Sequence, residues 1–282
     1  MLGAILAFSL TAVAGREATD VLTSSALSVS QLVFFRNIAG LGIILILLLL
    51  KGQASQVYKT SHLSLHVGRN VSHFVGQWCW FYGLALLPLA HVFAIEFTVP
   101  IWTALFASTL LAEKLTQRRI FSIALGFIGV LIILRPGIIS IPWASWVVLI
   151  SAVAYALSHT LTKRLTHFDG VLTILFFMHI LQLPMALLLV SFDFAWPQGD
   201  AWVFVLITAA AALSAHFCMA KALSYADATV VMPMDFLRLP FIALVGLFLY
   251  GEGVDWWLLL GAGVMLIGNR LALTEKLEKS TG

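Results

Sequence analysis

M-P-M-D-F-L-R-L-P, at residues 232–240, places an aspartate and an arginine inside an apolar run, 226–250, that is long enough to cross a bilayer. Asp235 and Arg238 stand three positions apart, so they share one face if the run is helical. A charge at bilayer depth is costly, and such groups normally face a cavity or a partner. The pair therefore either lines a cavity or forms an internal ion pair that neutralises itself.

Two prolines, Pro233 and Pro240, bracket this charged pair. Each lacks a backbone N–H, and a proline within a helix removes one hydrogen bond. Freed backbone groups at membrane depth are tolerated where neighbouring protein or a cavity satisfies them. The spacing therefore predicts a helix that is bent or locally opened at this point.

Composition indicates a membrane protein that crosses the bilayer several times. Of the 282 residues, 61% are hydrophobic and 10% are charged, with a mean hydropathy of +1.01. A soluble domain has roughly 25% charged residues. The net charge of +3 does not come from a basic patch, so no nucleic acid partner is expected. Cys79 and Cys218 lie in apolar runs, which favours buried thiols over a disulfide or a metal site, and no cofactor is expected.

Apolar runs separated by short polar breaks predict an all-α integral membrane fold with ten transmembrane helices of ~20 residues each. Their expected limits are 2–23, 29–50, 65–87, 89–111, 119–136, 142–163, 170–191, 200–223, 228–250 and 255–274. The connections near Pro88, near Pro136-Gly137 and at 251–253 are short, so they join antiparallel neighbours. Residues 1–15 lack the positive charge that precedes a signal-peptide core, so we expect a first membrane helix there and not a cleaved leader.

The distribution of Lys and Arg among the loops predicts the orientation. If the N-terminus is cytoplasmic, the cytoplasmic loops and termini hold Lys51, Lys59, Lys114, Arg118, Arg119, Lys163, Arg164, Lys276 and Lys279. The outer loops then hold Arg135 together with the acidic Asp193 and Asp200. Positive residues concentrate on the cytoplasmic side of membrane proteins. We therefore expect a multi-pass protein of the inner (cytoplasmic) membrane with both termini in the cytoplasm.

Matches at a constant offset of 139 residues indicate an internal repeat. The matching positions are Glu96-Phe97 with Asp235-Phe236, Glu113 with Glu252, Gly129 with Gly268 and Cys79 with Cys218. Each copy holds five expected spans, an odd number, so the second copy enters the membrane from the opposite side. We expect two inverted five-helix repeats, residues 1–137 and 138–282, with a central site where they meet.

Several motifs resemble those of the drug/metabolite transporter superfamily, EamA type. In the first half they are F-F-R at 34–36, R-N at 69–70, F-Y-G-L-A-L-L-P-L-A at 81–90, E-F-T-V-P-I at 96–101 and A-E-K-L at 112–115. In the second half they are A-L-S-Y-A-D-A at 222–228, P-M-D-F-L-R-L-P-F at 233–241 and Y-G-E at 250–252. The D-F-L-R-L-P segment is most similar to the branch of S-adenosylmethionine-uptake and related metabolite carriers. The resemblance implies substrate movement by alternating access, without ATP.

Glu96 and Asp235 are the foremost candidates for binding a substrate or a coupling ion. Glu96 lies near the middle of the fourth expected span, which holds no Lys or Arg, four residues before Pro100. A carboxylate in a low-dielectric region favours its protonated form, which suits proton coupling or the binding of a cation. The alternative is a hydrogen-bonded structural glutamic acid. If the repeat is inverted, Glu96 and Asp235 face each other or a shared cavity, and Phe97 accompanies Glu96 there.

Two arginines complete the charged candidates. Arg36, within the second expected span, either pairs with one of the carboxylates or contacts an anionic group of a substrate. Arg238 has the same two alternatives, with Asp235 as its nearest partner along the chain. Arg69 lies near the cytoplasmic end of its span and is expected to reach the lipid headgroups.

Aromatic side chains of the third expected span are candidates for contacting a ring or a sulfonium group. Trp78 and Tyr82 are assigned this role, through stacking or cation–π contact. Trp78 and Trp80 lie about 200° apart on a helix, so at least one of them faces lipid. His159 is a candidate for the cavity wall, with a hydrogen-bonded core histidine as the alternative. The H-x-x-H or H-x-x-x-H spacing of a metal site is absent among five intramembrane histidines, His73, His91, His159, His179 and His216.

These features favour a secondary active transporter over an enzyme. It would move a small polar, zwitterionic or cationic metabolite by alternating access, with a proton as a candidate coupling ion. An intramembrane enzyme of the acyl or prenyl transferase type would need a polar catalytic cluster at a helix end, and a channel would need rings of charge. Glu113 and Glu252 are expected to cap helices or hold loops at equivalent turns. Self-association into a homodimer is left open.

Overall fold

The structure, a computed structural model, describes residues 1–20, 26–52, 57–135, 142–192, 194–253 and 256–281. The expected boundary between the two halves, at 137/138, lies outside the described residues, as do the Pro136-Gly137 connection and Asp193.

The regular structure of the described residues is entirely helical. The helices are α1 (Leu2–Thr19), α2 (Val29–Leu50), α3 (Leu63–Leu86), α4 (Leu89–Glu96), α5 (Val99–Leu110), α6 (Gln117–Leu134), α7 (Trp143–Leu165), α8 (Val171–Val190), α9 (Ala201–Tyr225), α10 (Ala228–Val231), a 3-10 helix (Met232–Leu237), α11 (Arg238–Tyr250) and α12 (Trp256–Thr281). Each apolar run of the sequence is helical, which confirms the predicted all-α class.

Six helical segments of the described residues are long and apolar enough to cross a membrane. They are Val29–Leu50, His91–Leu110, Trp143–Leu165, Val171–Val190, Ala201–Tyr225 and Ala228–Tyr250. Length and composition thus support several membrane crossings.

The fourth expected span, 89–111, is broken in the middle. α4 ends at Glu96, and the turn Phe97-Thr98 separates it from α5. Pro100 has no N–H to offer the carbonyl of Glu96, so the α-helical hydrogen bond cannot form there. The hydroxyl of Thr98 donates instead to the carbonyl of Ile95, at 2.9 Å. The polypeptide therefore changes direction directly after a carboxylate.

The ninth expected span is also interrupted, as its prolines predicted. The 3-10 helix Met232–Leu237 separates α10 from α11, and Pro233 is its second residue. The interruption carries Asp235, and Arg238 begins α11. Both interrupted segments therefore place charged side chains where the α-helical hydrogen bonding stops.

Helices from the first part of the chain pack against helices from the second part. α2 lies along α8, α6 along α12, α3 along α7 and α1 along α9. α6 and α12 approach closely, because a Cβ atom added to Gly129 would lie 2.6 Å from the carbonyl oxygen of Gly261. A Cβ atom added to Gly261 would lie equally close to the oxygen of Gly129. Such small residues permit close helix contact in lipid.

Two glutamates hold the starts of the interrupted segments. Glu113, in the turn after α5, accepts hydrogen bonds from the backbone N–H of Ala228 at 2.9 Å and of Thr229 at 3.1 Å. Glu252, in the turn after α11, accepts one from the backbone N–H of Leu89 at 3.1 Å. The expected capping role of both residues is confirmed. Each caps a helix from the opposite half of the chain.

The end of α1 is held to the turn that follows α11. Arg16 donates to Glu252 at 2.5 Å, and its guanidinium lies 4.2 Å from the centre of the Tyr250 ring. The Tyr250 hydroxyl donates to Glu17 at 2.8 Å. The Arg16 side chain thus bonds to a residue far along the chain.

Candidate functional site

The two helix interruptions meet at a buried triad of charged residues. The Nη2 atom of Arg238 donates to Oε1 of Glu96 at 2.8 Å and to Oδ2 of Asp235 at 2.5 Å. The second carboxylate oxygen of Glu96 accepts from Nε1 of Trp80 at 2.8 Å. Glu96 is therefore not the isolated carboxylate that its own span suggested. Its partner lies on the other interrupted segment.

Aromatic rings enclose the guanidinium of Arg238. Its Cζ atom lies 4.8 Å from the centre of the Phe93 ring and 5.3 Å from that of Phe8. Arg238 is 1% exposed. Ring faces attract a cation, and the two carboxylates offset its charge. Arg238 thus pairs with Asp235, one of its two expected alternatives, and it also borders an internal cavity. A contact with an anionic group of a substrate stays a prediction.

A cavity lies between the two interruptions. Its atom-free volume is about 650 Å³, counting the part that is open to solvent. Six residues of the expected site line it: Arg36, Glu96, Phe97, His159, Asp235 and Arg238. The structure therefore brings together most of the residues singled out in the sequence, although they come from four different segments of the chain.

Arg36 and Gln77 form a second polar group of this cavity. Arg36, on α2, donates through Nη2 to Oε1 of Gln77 on α3. Both residues are 1% exposed. Within the described part of the chain, neither Nε of Arg36 nor Nε2 of Gln77 has a hydrogen-bond partner, and no carboxylate lies within ion-pair distance of Arg36. The expected alternative in which Arg36 pairs with Glu96 or Asp235 is wrong, because both carboxylates bond to Arg238 and neither lies within ion-pair distance of Arg36.

Histidines and a tyrosine form another part of the wall. His159 stacks on Tyr155, with 6.0 Å between the ring centres. His216 lies with its Nε2 atom 3.1 Å from Nε2 of His73. A contact of that length needs one donor and one acceptor, so the two rings cannot both be fully protonated in this arrangement. His159, Tyr155 and His216 all line the cavity.

Trp78 and Tyr82 are not among the residues that line this cavity. They stack on each other with 5.6 Å between ring centres, and the indole N–H of Trp78 donates to Ser30 at 3.2 Å. Trp80, on the other face of α3, reaches the cavity and Glu96. Trp78 and Trp80 thus lie on different faces of α3, and the expectation that at least one of them faces lipid stays a prediction. A substrate contact at Trp78 or Tyr82 stays a prediction.

Arg69 is buried inside the helix bundle and does not reach the headgroups. It is 2% exposed and donates to Thr162 at 3.2 Å and to Asn70 at 2.8 Å. Gln182 continues this network, because its amide nitrogen lies 3.0 Å from Oδ1 of Asn70 and from Nδ1 of His73. The expected snorkelling of Arg69 is wrong because Thr162 of α7 and Asn70 of α3 accept from its guanidinium within the protein.

Sequence reasoning missed Gln77 and Tyr155 as parts of the cavity wall. A buried amide within a long apolar helix is a signal that could have singled out Gln77, since such a group needs a hydrogen-bond partner. Nothing comparable marks Tyr155, which resembles an ordinary aromatic residue of a membrane helix. Among the described residues, no three His, Cys, Asp or Glu side chains are grouped so that they could hold a metal ion.

Most of the sequence matches the model of a known protein family. The model of the EamA-like transporter family matches residues 1–135 and 142–274. The chain belongs to the EamA-like transporter family. This confirms the resemblance to the drug/metabolite transporter superfamily that its motifs indicated.

Relatives of this EamA-family chain include transporters named for different substrates. It is 31% identical over 239 residues to the riboflavin transporter of Brucella anthropi, covering 80% of this chain and 84% of the relative. It is 25% identical over 208 residues to the S-adenosylmethionine uptake transporter of Rickettsia felis, covering 74% and 71%. It is 26% identical over 254 residues to the pseudopaline exporter of Pseudomonas aeruginosa, covering 89% and 88%. The S-adenosylmethionine relative confirms the predicted likeness to that branch.

A protein of known crystal structure has the same fold as this EamA-family chain. The two superpose with a TM-score of 0.77 over 98% of this chain and 96% of the other, at 18% sequence identity. Family membership together with the apolar helices makes this a multi-pass membrane protein. It also indicates a transporter of small molecules and not an enzyme.

Proposed function

We propose that the chain is a secondary active transporter that moves a small polar, zwitterionic or cationic metabolite across the cytoplasmic membrane by alternating access. One observation carries the proposal: two interrupted helices meet at a cavity that holds the triad Glu96, Asp235 and Arg238. Secondary transporters commonly bind substrate where discontinuous helices expose backbone and charged groups near the middle of the membrane. The triad is assigned to substrate or ion binding, with Arg36, Phe97 and His159 as further cavity contacts.

Two inverted five-helix repeats, residues 1–137 and 138–282, are part of the proposal. Glu113 and Glu252 correspond at the offset of 139 residues, and so do the helix starts that they cap, Ala228 and Leu89. The two segments matched by the family model support the same division. In transporters built this way, one repeat rocks against the other around a fixed site, which opens the site to each side in turn.

Transport by the purified protein in proteoliposomes tests this function. Riboflavin and S-adenosylmethionine are the first substrates to try, because relatives carry those names. A carrier gives saturable uptake and counterflow, in which unlabelled internal substrate accelerates entry of labelled substrate. Flux that rises linearly with concentration and shows no counterflow would indicate a channel. Recovery of chemically altered substrate would indicate an intramembrane enzyme.

Proton coupling through Glu96 is the finer part of the proposal. A carboxylate in a low-dielectric cavity can exchange a proton and a substrate cation, because both compensate its charge. An imposed pH gradient should drive uptake by the natural chain, whereas Glu96→Gln should lose that drive and retain counterflow. Glu113→Gln, outside the cavity, is the matched control. Unchanged rate and pH dependence in Glu96→Gln would show that protons are not coupled at this residue.

The proposal also includes the location and orientation of the chain. Both termini are assigned to the cytoplasmic side of the cytoplasmic membrane, since Lys51, Lys59 and the other loop cations would then lie inside. Reporter domains fused to each terminus and active on one side only would check this. A homodimer stays a prediction, and the mass of the protein in lipid nanodiscs measures it.

A further inference from the structure

Arg36 carries a buried positive charge that no carboxylate among the described residues offsets. It is 1% exposed, and among the described residues it donates only to the neutral amide of Gln77. Its Nε atom, also buried, has no hydrogen-bond partner in the described part of the chain. Burying a charge without a counter-charge is strongly unfavourable, and membrane proteins keep such groups where they serve a function.

Gln77 adds a second free donor at the same place. Its Oε1 atom accepts from Arg36, and its Nε2 atom, buried and on the same amide, has no partner within the described residues. Gln77 and Arg36 both line the cavity. Buried donors without acceptors are rare in proteins, so two at one position call for an acceptor that is not part of the described fold.

The other arginine of the cavity differs in its charge balance. Arg238 bonds to both Glu96 and Asp235, so the protein itself supplies its counter-charges. Hence one arginine of the cavity, Arg238, has two counter-charges, whereas Arg36 has none among the described residues. An incoming anionic group gains most at Arg36, because no carboxylate among the described residues competes for that charge.

We propose that Arg36 and Gln77 form an anion subsite that binds a carboxylate or phosphate group of the transported substrate. The planar guanidinium suits either group, and charge-assisted hydrogen bonds of this kind are among the strongest in proteins. This inference rests on the proposed function in one respect only, namely that the cavity is the substrate site. It narrows the substrate class to molecules that carry an anionic group.

Thermal unfolding of the purified full chain tests the subsite without any transport. Sodium acetate and sodium phosphate are the anionic probes, and acetamide is the neutral analogue of acetate. All samples have the same ionic strength. Acetate, phosphate or both should raise Tm saturably, by about 3 °C at ten times the dissociation constant. The more effective of the two identifies the group as carboxylate or phosphate. If neither raises Tm more than acetamide does, the subsite does not exist.

Gln77→Glu is the decisive variant, because it places a carboxylate of nearly the same shape beside Arg36. That carboxylate should take the place of the anion, raise Tm in the absence of anions and abolish the response to acetate and phosphate. Gln31→Glu makes the same chemical change in the capping box of α2, outside the cavity lining, and should keep the response. A full anion response in Gln77→Glu would overturn the proposal.

A second variant covers the case in which Gln77→Glu does not fold. Gln77→Leu removes one donor and adds no charge, and it should weaken the apparent anion affinity by about tenfold. Unchanged affinity would contradict the subsite. The outcome is separable from the proposed function: an anion response without flux would argue against transport, and flux without an anion response would argue against the subsite.

Discussion

Removing the two carboxylates of the triad, one at a time and together, should produce a strongly non-additive loss of stability. The variants are Glu96→Gln, Asp235→Asn and the double variant. In each single variant Arg238 keeps one carboxylate at hydrogen-bond distance, because both bond to the same Nη2 atom. In the double variant the guanidinium, 1% exposed, keeps no counter-charge within the triad.

The expected magnitudes follow from this geometry. Each single change weakens one charge-assisted hydrogen bond but also removes one of two negative charges around a single arginine. The two effects oppose each other, so each single variant should stay within about 1 kcal/mol of the natural chain. Glu96→Gln should be the worse of the two, because a glutamine has one acceptor oxygen for both Arg238 and Trp80. An unpaired buried charge costs about 3–5 kcal/mol, so the double variant should lose that much.

Thermal unfolding in detergent measures the change in stability of the two single variants and of the double variant. For a chain of this size, a change of 1 kcal/mol shifts Tm by about 2–4 °C. Asp227→Asn is the matched control, because Asp227 pairs with Arg119 at 3.0 Å with about half of its side chain exposed. It should cost about 0–1 kcal/mol. If the stability losses of the two single variants add up to the loss of the double variant, the idea that both carboxylates share Arg238 is refuted.

Three further predictions concern caps, helix contact and aromatic side chains. Glu113→Gln leaves one acceptor oxygen for the N–H groups of α10, so it should cost about 1 kcal/mol and lower Tm; an unchanged Tm would contradict the cap. Gly129→Ala should cost about 1–3 kcal/mol because its Cβ would overlap α12, whereas Gly263→Ala, with open space around it, should not destabilise the protein; equal Tm values would contradict close helix contact. Trp80→Phe should slow transport by removing the donor to Glu96. Trp78→Phe removes a donor to Ser30 but keeps an aromatic ring for stacking, so it should leave transport unchanged, and the reverse order would place the substrate elsewhere.

The helical segments were predictable because their evidence is local. A run of apolar residues long enough to cross a bilayer is visible in any window of the sequence, and its limits follow from nearby polar residues. The interruption at Met232–Leu237 was predictable for the same reason, since two prolines and two charges coincide there. The turn Phe97-Thr98 was missed although Pro100 follows it. One proline near the start of a helix is common and carries little information.

The contacts within the site were not predictable, because they join residues that are far apart in the chain. Arg238 and Glu96 are separated by 142 positions, and periodicity reports only neighbours on one helix. From the sequence, Glu96 therefore had no cationic partner within its own span. The structure shows that its partner is Arg238 on the other interrupted segment. Arg69 was assigned to the lipid headgroups from its depth alone. Its burial depends on Thr162 and Asn70, whose position relative to it is a property of helix packing.

If the two halves are related as proposed, corresponding positions of the two halves line the cavity, but the side chains at those positions can differ in chemistry. Glu96 corresponds to Asp235 at the offset of 139 residues, and both carry a carboxylate. Gln77 corresponds to His216, and both line the cavity although they differ in charge and shape. Both pairs of related positions therefore line the cavity, but of these two pairs only the acidic one has the same functional group at both positions.

The arginines depart furthest from the repeat. Arg238 corresponds to Val99 and Arg36 to Leu175, so neither has a charged counterpart in the other half. A single Arg238 bonds both acidic residues, whereas Arg36 bonds none among those described. Two equivalent halves suffice to open a cavity to either side, but a symmetric cavity would bind a substrate equally well in two opposite orientations. Arg36 and Arg238, which have no charged counterpart in the other half, make the two orientations unequal. The orientation of a bound substrate would therefore depend on these two arginines.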